Sequence, residues 1–275
     1  MATQTDVELE VLDERGAALL SEVPAALHEG MKRPTSSALH PISQTTETAP
    51  LLPKNRSIIV TVQLAGINFI TSFCNGILTI ALPTMATQLS LEPALLIWPA
   101  SAYYLTSGAT LLLAGAFADA IGARAVNLTG CLFLAIFMVA NGVAQTGIQL
   151  IMFRAMQGVA SSLVVPTAIS IVSTSVETGR RRNLAFASLG LAMPLGFSAG
   201  LVLGGVFVSG PGWRVGYYIA AALSSVFFVL GFWALPKGVR QEDHAPLRTK
   251  LTKEIDWVGA GIASTALALF SYVLA

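Results

Sequence analysis

Residues 115–124 read Gly115-Ala-Phe-Ala-Asp119-Ala-Ile-Gly122-Ala-Arg124. This short stretch ends one apolar run, near 94–118, and leads into another, near 125–144. Outward from it the pattern repeats, with further runs near 57–82, 147–173, 184–208, 215–235 and 257–275. Each holds about 20 mostly apolar residues, enough for a helix to cross roughly 30 Å of hydrocarbon. Lipid offers no partner to backbone N–H and C=O groups, so spans of this kind must be helical. With 54% hydrophobic and 11% charged residues among 275, the composition is that of a membrane protein. The fold class expected is an all-α integral membrane protein with six complete spans and the start of a seventh.

The first 56 residues differ. Asp6, Glu8, Glu10, Asp13, Glu14, Glu22 and Glu29 are scattered among Ala, Ser, Thr and Pro, the composition of a disordered polar tail. Nothing before Leu51 supplies the basic start and short apolar core of a signal peptide, so the first span is expected to direct insertion. Glu47-Thr-Ala-Pro-Leu51-Leu52 matches an acidic-dileucine sorting pattern, and an ordinary tail running into a span reads the same way. The expected organisation is a tail over 1–56, a six-span bundle over 57–235, a loop over 236–256 and a seventh span over 257–275.

Basic residues set the orientation, because short loops rich in Lys and Arg stay on the cytoplasmic side. Lys54, Arg56, Arg124, Arg180, Arg181, Arg182, Lys237, Arg240, Arg248, Lys250 and Lys253 all fall on one side of the alternating spans, and the opposite connections hold only Glu92 and Arg214. The amino terminus is therefore expected in the cytoplasm. The sequons Asn55-Arg-Ser57 and Asn127-Leu-Thr129 then lie beyond the glycosylation machinery and read as chance matches. Cys74 and Cys131 fall inside spans, away from any extracellular bridge or metal site.

Two features interrupt the apolar background. In the quoted stretch, Gly115 and Gly122 allow helix ends to approach while Asp119 and Arg124 stay near the surface. A charge network and a solvated tight turn both fit. In the fourth span Arg154 lies about two turns from the outer surface, with Gln157, Gly158 and Ser161 on its face. A charge at that depth costs about 2.5 kcal/mol or more, so it faces a protein interior or a wet cavity, unless it snorkels to the headgroups. Spans one to six contain no deeply placed acid to pair with it, which leaves a carbonyl, water, substrate or a residue elsewhere. On the fifth span Gly196, Gly200 and Gly204 recur every four residues, a spacing that lets two helix backbones pack closely. Gln63, Asn68, Thr71, Asn75 and Thr79 on the first span either line a cavity or bond neighbouring helices. Trp98, Tyr103 and Tyr104 can stack on an aromatic substrate or anchor at the interface.

The Gly-x3-Asp-x2-Gly-x-Arg spacing between the second and third spans is similar to the signature loop of the major facilitator superfamily. That resemblance implies a cytoplasmic gate made by Gly115, Asp119, Gly122 and Arg124, thinner in charge than the family pattern because Ala120 stands where a basic residue is often found. Arg154-x2-Gln157-Gly158 resembles the family's fourth-span signature, whose arginine is associated with proton coupling. The glycine ladder looks like the antiporter signature of the drug-exporting branch, with Leu201 in place of its proline and Pro194 upstream. Thr79-Ile-Ala-Leu-Pro83, Trp98-Pro-Ala-Ser-Ala-Tyr103 and Gly212-Trp213-Arg214 resemble the fourteen-span drug:proton antiporters, particularly fungal ones, although Cys74 aligns where many carry an aspartate.

What the resemblance implies is a bundle of two inverted three-helix repeats that packs against a second bundle, with substrate near the bilayer midplane. Asn68, Asn75, Trp98 and Tyr103 are the candidates for the substrate cavity. The function implied is proton-coupled efflux of small apolar organic compounds such as drugs, toxins or secondary metabolites, from the plasma membrane rather than the vacuolar one. The partners are lipid, substrate, protons and a carboxy-terminal bundle beyond this sequence, which reads as incomplete. An importer or uniporter on the same fold, or a non-transporting half-length protein, are the alternatives. No Gly-x4-Gly-Lys loop, zinc spacing or nucleophile with its base is found, so neither an enzyme, a cofactor, a metal nor nucleic acid is expected.

Overall fold

The computed structural model describes residues 53–236 and, beyond them, only residues 259, 261, 262, 265, 266 and 269. The tail up to residue 52 with its dileucine pattern, the loop from 237 to 256 and all but those six positions of the seventh span lie outside the described residues. The chain divides into two units, Met1–Glu47 and Thr48–Ala275, and the described residues all belong to the second.

Each expected span between 57 and 235 is met by one helix. They are α1 (Lys54–Gln88), α2 (Trp98–Ile121), α3 (Ala123–Val143), α4 (Gly147–Ser175), α5 (Arg180–Ser209) and α6 (Trp213–Ala234), with a 3-10 turn at Pro93–Leu95. All six are long and apolar enough to cross a membrane. The largest departure is α1, whose 35 residues run about 50 Å at 1.5 Å per residue. It passes through Pro83, close to where the apolar run was expected to end. A proline removes one ladder hydrogen bond, but buried neighbours such as Ala81 and Met85 hold the segment in register, and prolines inside α4 and α5, Pro166 and Pro194, are accommodated likewise. Gly122, with φ +106°, ends α2 and starts α3 at one residue. That left-handed conformation is one a side chain would resist.

The fold is inside out relative to a water-soluble domain. Arg154, Gln157, Asn127 and Asn141 are fully buried, whereas Ile136, Val139, Val226, Val229 and Trp233 are exposed. Such an apolar exterior suits hydrocarbon as solvent. Many polar side chains within the spans bond back to their own helix: the hydroxyls of Thr61, Thr71 and Thr79 donate to Ser57 O, Ile67 O and Asn75 O. They therefore carry no unmet polarity into the apolar run.

Packing follows a two-fold rule. The dominant contacts are α1 with α5, α2 with α4, α3 with α4, α3 with α6 and α1 with α6. Exchanging α1 with α4, α2 with α5 and α3 with α6 maps α1–α5 onto α4–α2 and α1–α6 onto α4–α3, while α3–α6 maps onto itself. The six helices are thus two repeats of three that interlock, as expected for inverted repeats.

Hydrogen bonds identify the two ends of the bundle. At one, Arg56 Nε donates to Ala234 O at 3.0 Å and Arg124 Nη2 to Phe232 O at 2.8 Å, joining the starts of α1 and α3 to the end of α6. At the other, Gln88 Oε1 accepts from Trp213 Nε1 at 2.9 Å and Arg214 Nη1 at 3.2 Å, and Arg214 Nη2 donates to Ala144 O at 3.0 Å. The helices therefore alternate in direction. Lys54, Arg56, Arg124 and Arg180–Arg182 gather at the first end, matching the asymmetry read from the sequence.

Candidate functional site

Arg154 lies on α4, seven residues after its first residue Gly147, where Thr146 caps the helix by accepting from the Gln149 amide. It is completely buried, so the snorkelling alternative is not what the structure contains. Its Nε donates to Pro99 O on α2 at 3.2 Å, Nη1 to Gln157 Oε1 one turn along at 3.0 Å, and Nη2 to Asn75 Oδ1 on α1 at 2.5 Å. The guanidinium also stands over the Tyr103 ring, 4.7 Å from its centroid. Three helices thus hold one cation through neutral groups. Its partners include the carbonyl that the sequence left open, together with two amides.

The polar cluster extends further. Asn141 Nδ2 on α3 donates to Gln157 Oε1 at 2.9 Å, so one amide oxygen serves both Arg154 and Asn141. The Tyr103 hydroxyl donates to Ser161 Oγ at 2.9 Å, and on α6 the hydroxyl of the fully buried Tyr217 meets no hydrogen-bond partner among the described residues. Asn141 and Tyr217 were not among the residues singled out by sequence. An amide near the end of an apolar run was the available signal for Asn141; Tyr217, one of two adjacent tyrosines in α6, gave none.

Gly158 explains how α2 and α4 come so close. A Cβ there would fall on Tyr103 O and Thr106 Oγ1. The α5 ladder works in the same way against α1: a Cβ on Gly196 would strike Phe69 O, one on Gly200 would strike Phe73 O, and one on Gly204 would come within 3.1 Å of Ile77 Cα. Gly76 on α1 completes the seam, since a Cβ there would meet Phe197 O. The ladder is visible in the sequence and Gly76 is not, because it has no glycine four residues away on its own helix.

The loop glycines behave differently. A Cβ on Gly115 or on Gly122 meets nothing within 4 Å. The expected close approach of helix ends at these two positions is therefore absent within the bundle; Gly122 serves its positive φ instead, and Gly115 lies on an open face. Asp119 is exposed and Arg124 is half-buried, and no ion pair joins them: among the described residues the ion pair is Arg181–Glu177, 3.1 Å apart on the surface. Arg124 is instead occupied with the end of α6.

The substrate-cavity candidates also separate. Asn75 and Tyr103 belong to the Arg154 cluster, whereas Asn68 donates to Leu64 O on its own helix at 3.0 Å. Trp98 is half-buried at the start of α2. Cys74 and Cys131 are buried in α1 and α3. Asn127, from the second sequon, is fully buried and donates to Thr167 Oγ1 at 2.9 Å, a position with no room for a glycan.

Residues 64–274 match the family model of the Major Facilitator Superfamily. The chain is 36% identical over 249 residues to MFS-type transporter 1 of Pyricularia oryzae, covering 81% of this chain and 40% of that protein. It is 31% identical over 186 residues to efflux pump terG of Aspergillus terreus, covering 66% of this chain and 34% of the pump. A crystal structure of a mutant peptide transporter POT shares the fold, with a TM-score of 0.59 at 22% identity over 76% of this chain and 45% of that one. The chain therefore spans less than half the length of the curated relatives it matches.

Proposed function

The chain belongs to the major facilitator superfamily, and on that footing we propose that it is the amino-terminal bundle of an exporter that moves small, largely apolar organic molecules outward in exchange for protons. It is a multi-pass membrane protein, and transport by this family is not enzymatic chemistry. The observation that carries the reading is Arg154, a fully buried cation shared by α1, α2 and α4. A charge is kept at such depth where a transport pathway uses it. The α1–α5 glycine seam and the efflux pump among the relatives support export in particular.

The remaining assignments rest on the same reading. The basic end of the bundle faces the cytoplasm by the positive-inside rule, in the plasma membrane. Asp119, exposed there and unpaired within the described residues, is the gate's free charge, with Gly115 the open surface beside it. Arg124 steadies α6. Substrate approaches from the side of Trp98, Tyr103 and Asn75, and a carboxy-terminal bundle completes the pathway. Alternating access then rocks one bundle against the other.

A second reading is favoured by one observation. The described carboxylates, Glu92, Asp119 and Glu177, are all exposed or half-exposed at the ends of the bundle, and the chain's histidines, His28, His40 and His244, lie outside the described residues. On the export reading the proton-carrying acid is supplied from elsewhere; without one, the same bundle serves a uniporter or importer. Cells expressing the full-length protein and loaded with a lipophilic fluorescent dye separate the two. Export predicts less retained dye, restored to control by an uncoupler or by Arg154→Gln with insertion intact. Equal retention with and without the protein removes export, and greater retention favours import.

A further inference from the structure

The Arg154 guanidinium is bonded directly by α1, α2 and α4, and α3 reaches it only through Gln157. The α3 residue is Asn141, fully buried in the last turn of a helix whose Ile136, Val139 and Val143 are exposed. An amide in that setting must spend its polar atoms on partners. Asn141 Nδ2 donates to Phe137 O on its own helix at 2.7 Å and to Gln157 Oε1 on α4 at 2.9 Å. Both acceptors are oxygens, so a flipped amide would set Oδ1 against two oxygens. Gln157 is fixed by the converse rule: its Oε1 faces Asn141 Nδ2 and, at 3.0 Å, Arg154 Nη1, and a flip would set its NH2 against two donors. One defined orientation therefore runs from the α3 backbone through two amides to the guanidinium.

That link supplies what the other bonds do not. Arg154 and Gln157 lie one turn apart on α4, so a bond between them leaves the pair free to swing together over one helix face. Pro99 O and Asn75 Oδ1 hold Nε and Nη2 from other helices. Among the described residues the Nη1 arm is bonded by Gln157, and Gln157 is tied outside α4 by Asn141. The two atoms left over, Gln157 Nε2 and Asn141 Oδ1, are a donor and an acceptor of amides already bonded to each other, so they complement one another and require no ligand. The surrounding groups are neutral: Tyr103 lies under the guanidinium, Cys74 adjoins Asn75, and the described carboxylates, Glu92, Asp119 and Glu177, are not buried. Hydrogen bonds, not an ion pair, thus set the position of this cation within the described residues.

We propose that Asn141 is a positioning residue for Arg154, acting through Gln157 to fix the oxygen on which one arm of the guanidinium rests. Its weight in transport rests on the reading of Arg154 given above, as the charge that the pathway uses.

The test observes Arg154 itself, in the full-length protein in lipid nanodiscs, by nitrogen NMR of isotopically labelled arginine side chains. The Arg154 signals are those lost in Arg154→Gln. A guanidinium held on both arms gives separate Nη1 and Nη2 signals, and one that rotates freely averages them. Asn141→Thr cuts the link without stranding a polar group, because a threonine hydroxyl has one proton and bonds back to the carbonyl four residues earlier, as Thr61, Thr71 and Thr79 do on α1. In that variant exchange between the two Arg154 signals should quicken about threefold or more, as for the loss of one neutral hydrogen bond. Asn141→Ser repeats the test with a smaller side chain. In a Gln157→Met background, Asn141→Thr should add nothing, since the link it cuts is already gone. Signals already averaged in the unaltered protein, or unchanged by Asn141→Thr, overturn the proposal. So does an added effect in the Gln157→Met background, which would mean that Asn141 acts by packing alone. Dye flux is measured on the same preparations: Arg154 signals that respond as expected in a protein that moves no dye outward remove the export reading and leave the positioning role standing.

Discussion

The α1–α5 and α4–α2 seams occupy equivalent places in the two repeats, and each brings two backbones together at glycine, yet they are held by different chemistry. Between α1 and α5 the fit is backbone against backbone: Gly76, Gly196 and Gly200 each sit where a Cβ would collide with a carbonyl oxygen of the other helix. Between α2 and α4 one glycine, Gly158, makes the approach, and polar groups hold it. Arg154 donates to Pro99 O, the Tyr103 hydroxyl donates to Ser161, the Thr106 hydroxyl reaches Ala155 O at 2.7 Å, and Thr110 and Ser162 oxygens stand 2.8 Å apart. Lipid supplies no hydrophobic drive between helices, so association depends on close packing and on interhelical hydrogen bonds. One repeat relies mainly on the first means and the other adds the second. The difference bears on the proposed function, because the polar seam is the one that fixes the buried cation in place, while the α1–α5 seam has only shape to keep.

The largest expected effect comes from spoiling that shape. Gly200→Leu puts a side chain where the Phe73 carbonyl stands, and a backbone cannot give way as a flexible side chain can. Overpacking of this kind costs about 3 kcal/mol or more, so the variant should be recovered in the membrane at much lower yield or with a sharply lowered unfolding midpoint. Gly205→Leu is the control on the same helix, since a Cβ there meets nothing within 4 Å. Equal losses from the two variants would mean that the seam is not what holds α5.

The polar seam should yield more gently. Thr106→Val keeps the volume and removes one hydroxyl, whose single proton is shared among Ala155 O across the seam and Ala102 O and Tyr103 O on its own helix. Interhelical hydrogen bonds in membranes are worth about 0.6 kcal/mol on average and up to about 1.7. A fall of that size in unfolding free energy, with the rest of the cluster intact, is expected from thermal or denaturant unfolding in nanodiscs. A loss as large as that from Gly200→Leu would show that the two seams are cemented alike and would undo the contrast.

The two seams are unequally legible in the sequence, for a physical reason. Six spans, the charge asymmetry and the α5 ladder all follow from local composition and spacing, and the structure contains them. The ends are harder: α1 runs past Pro83 because tertiary neighbours, absent from any local rule, keep the helix going. Arg154 stands out because a charge in hydrocarbon is costly, but its partners do not. Asn75 is 79 residues away in sequence, and nothing about an asparagine in an apolar run says which helix it will face. Gly76 escapes notice for the same reason, since it pairs with the α5 ladder and with no glycine of its own. The loop glycines mislead in the opposite sense: Gly115 and Gly122 look alike in sequence, and only backbone angles and neighbours tell a turn residue from an open surface.

Gly115 gives the smallest expected effect on stability and the sharpest contrast with Gly200. It lies inside α2, a helix that buries little of itself within the bundle, and a Cβ at that position meets nothing. Replacing a helix-interior glycine with alanine removes backbone entropy from the unfolded chain, worth about 0.5–1 kcal/mol in favour of the helix. Gly115→Ala should therefore leave the unfolding midpoint unchanged or slightly raised. If Gly115 marks the surface that meets a second bundle at the cytoplasmic gate, dye flux by the full-length protein should nevertheless fall, and fall further with Gly115→Leu. Flux unaffected by either substitution would make Gly115 a glycine without a partner anywhere, and the gate would be left to Asp119. A fall in stability instead would mean that α2 packs within its own bundle more tightly than α5 does, reversing the order in which the two seams respond to added side chains.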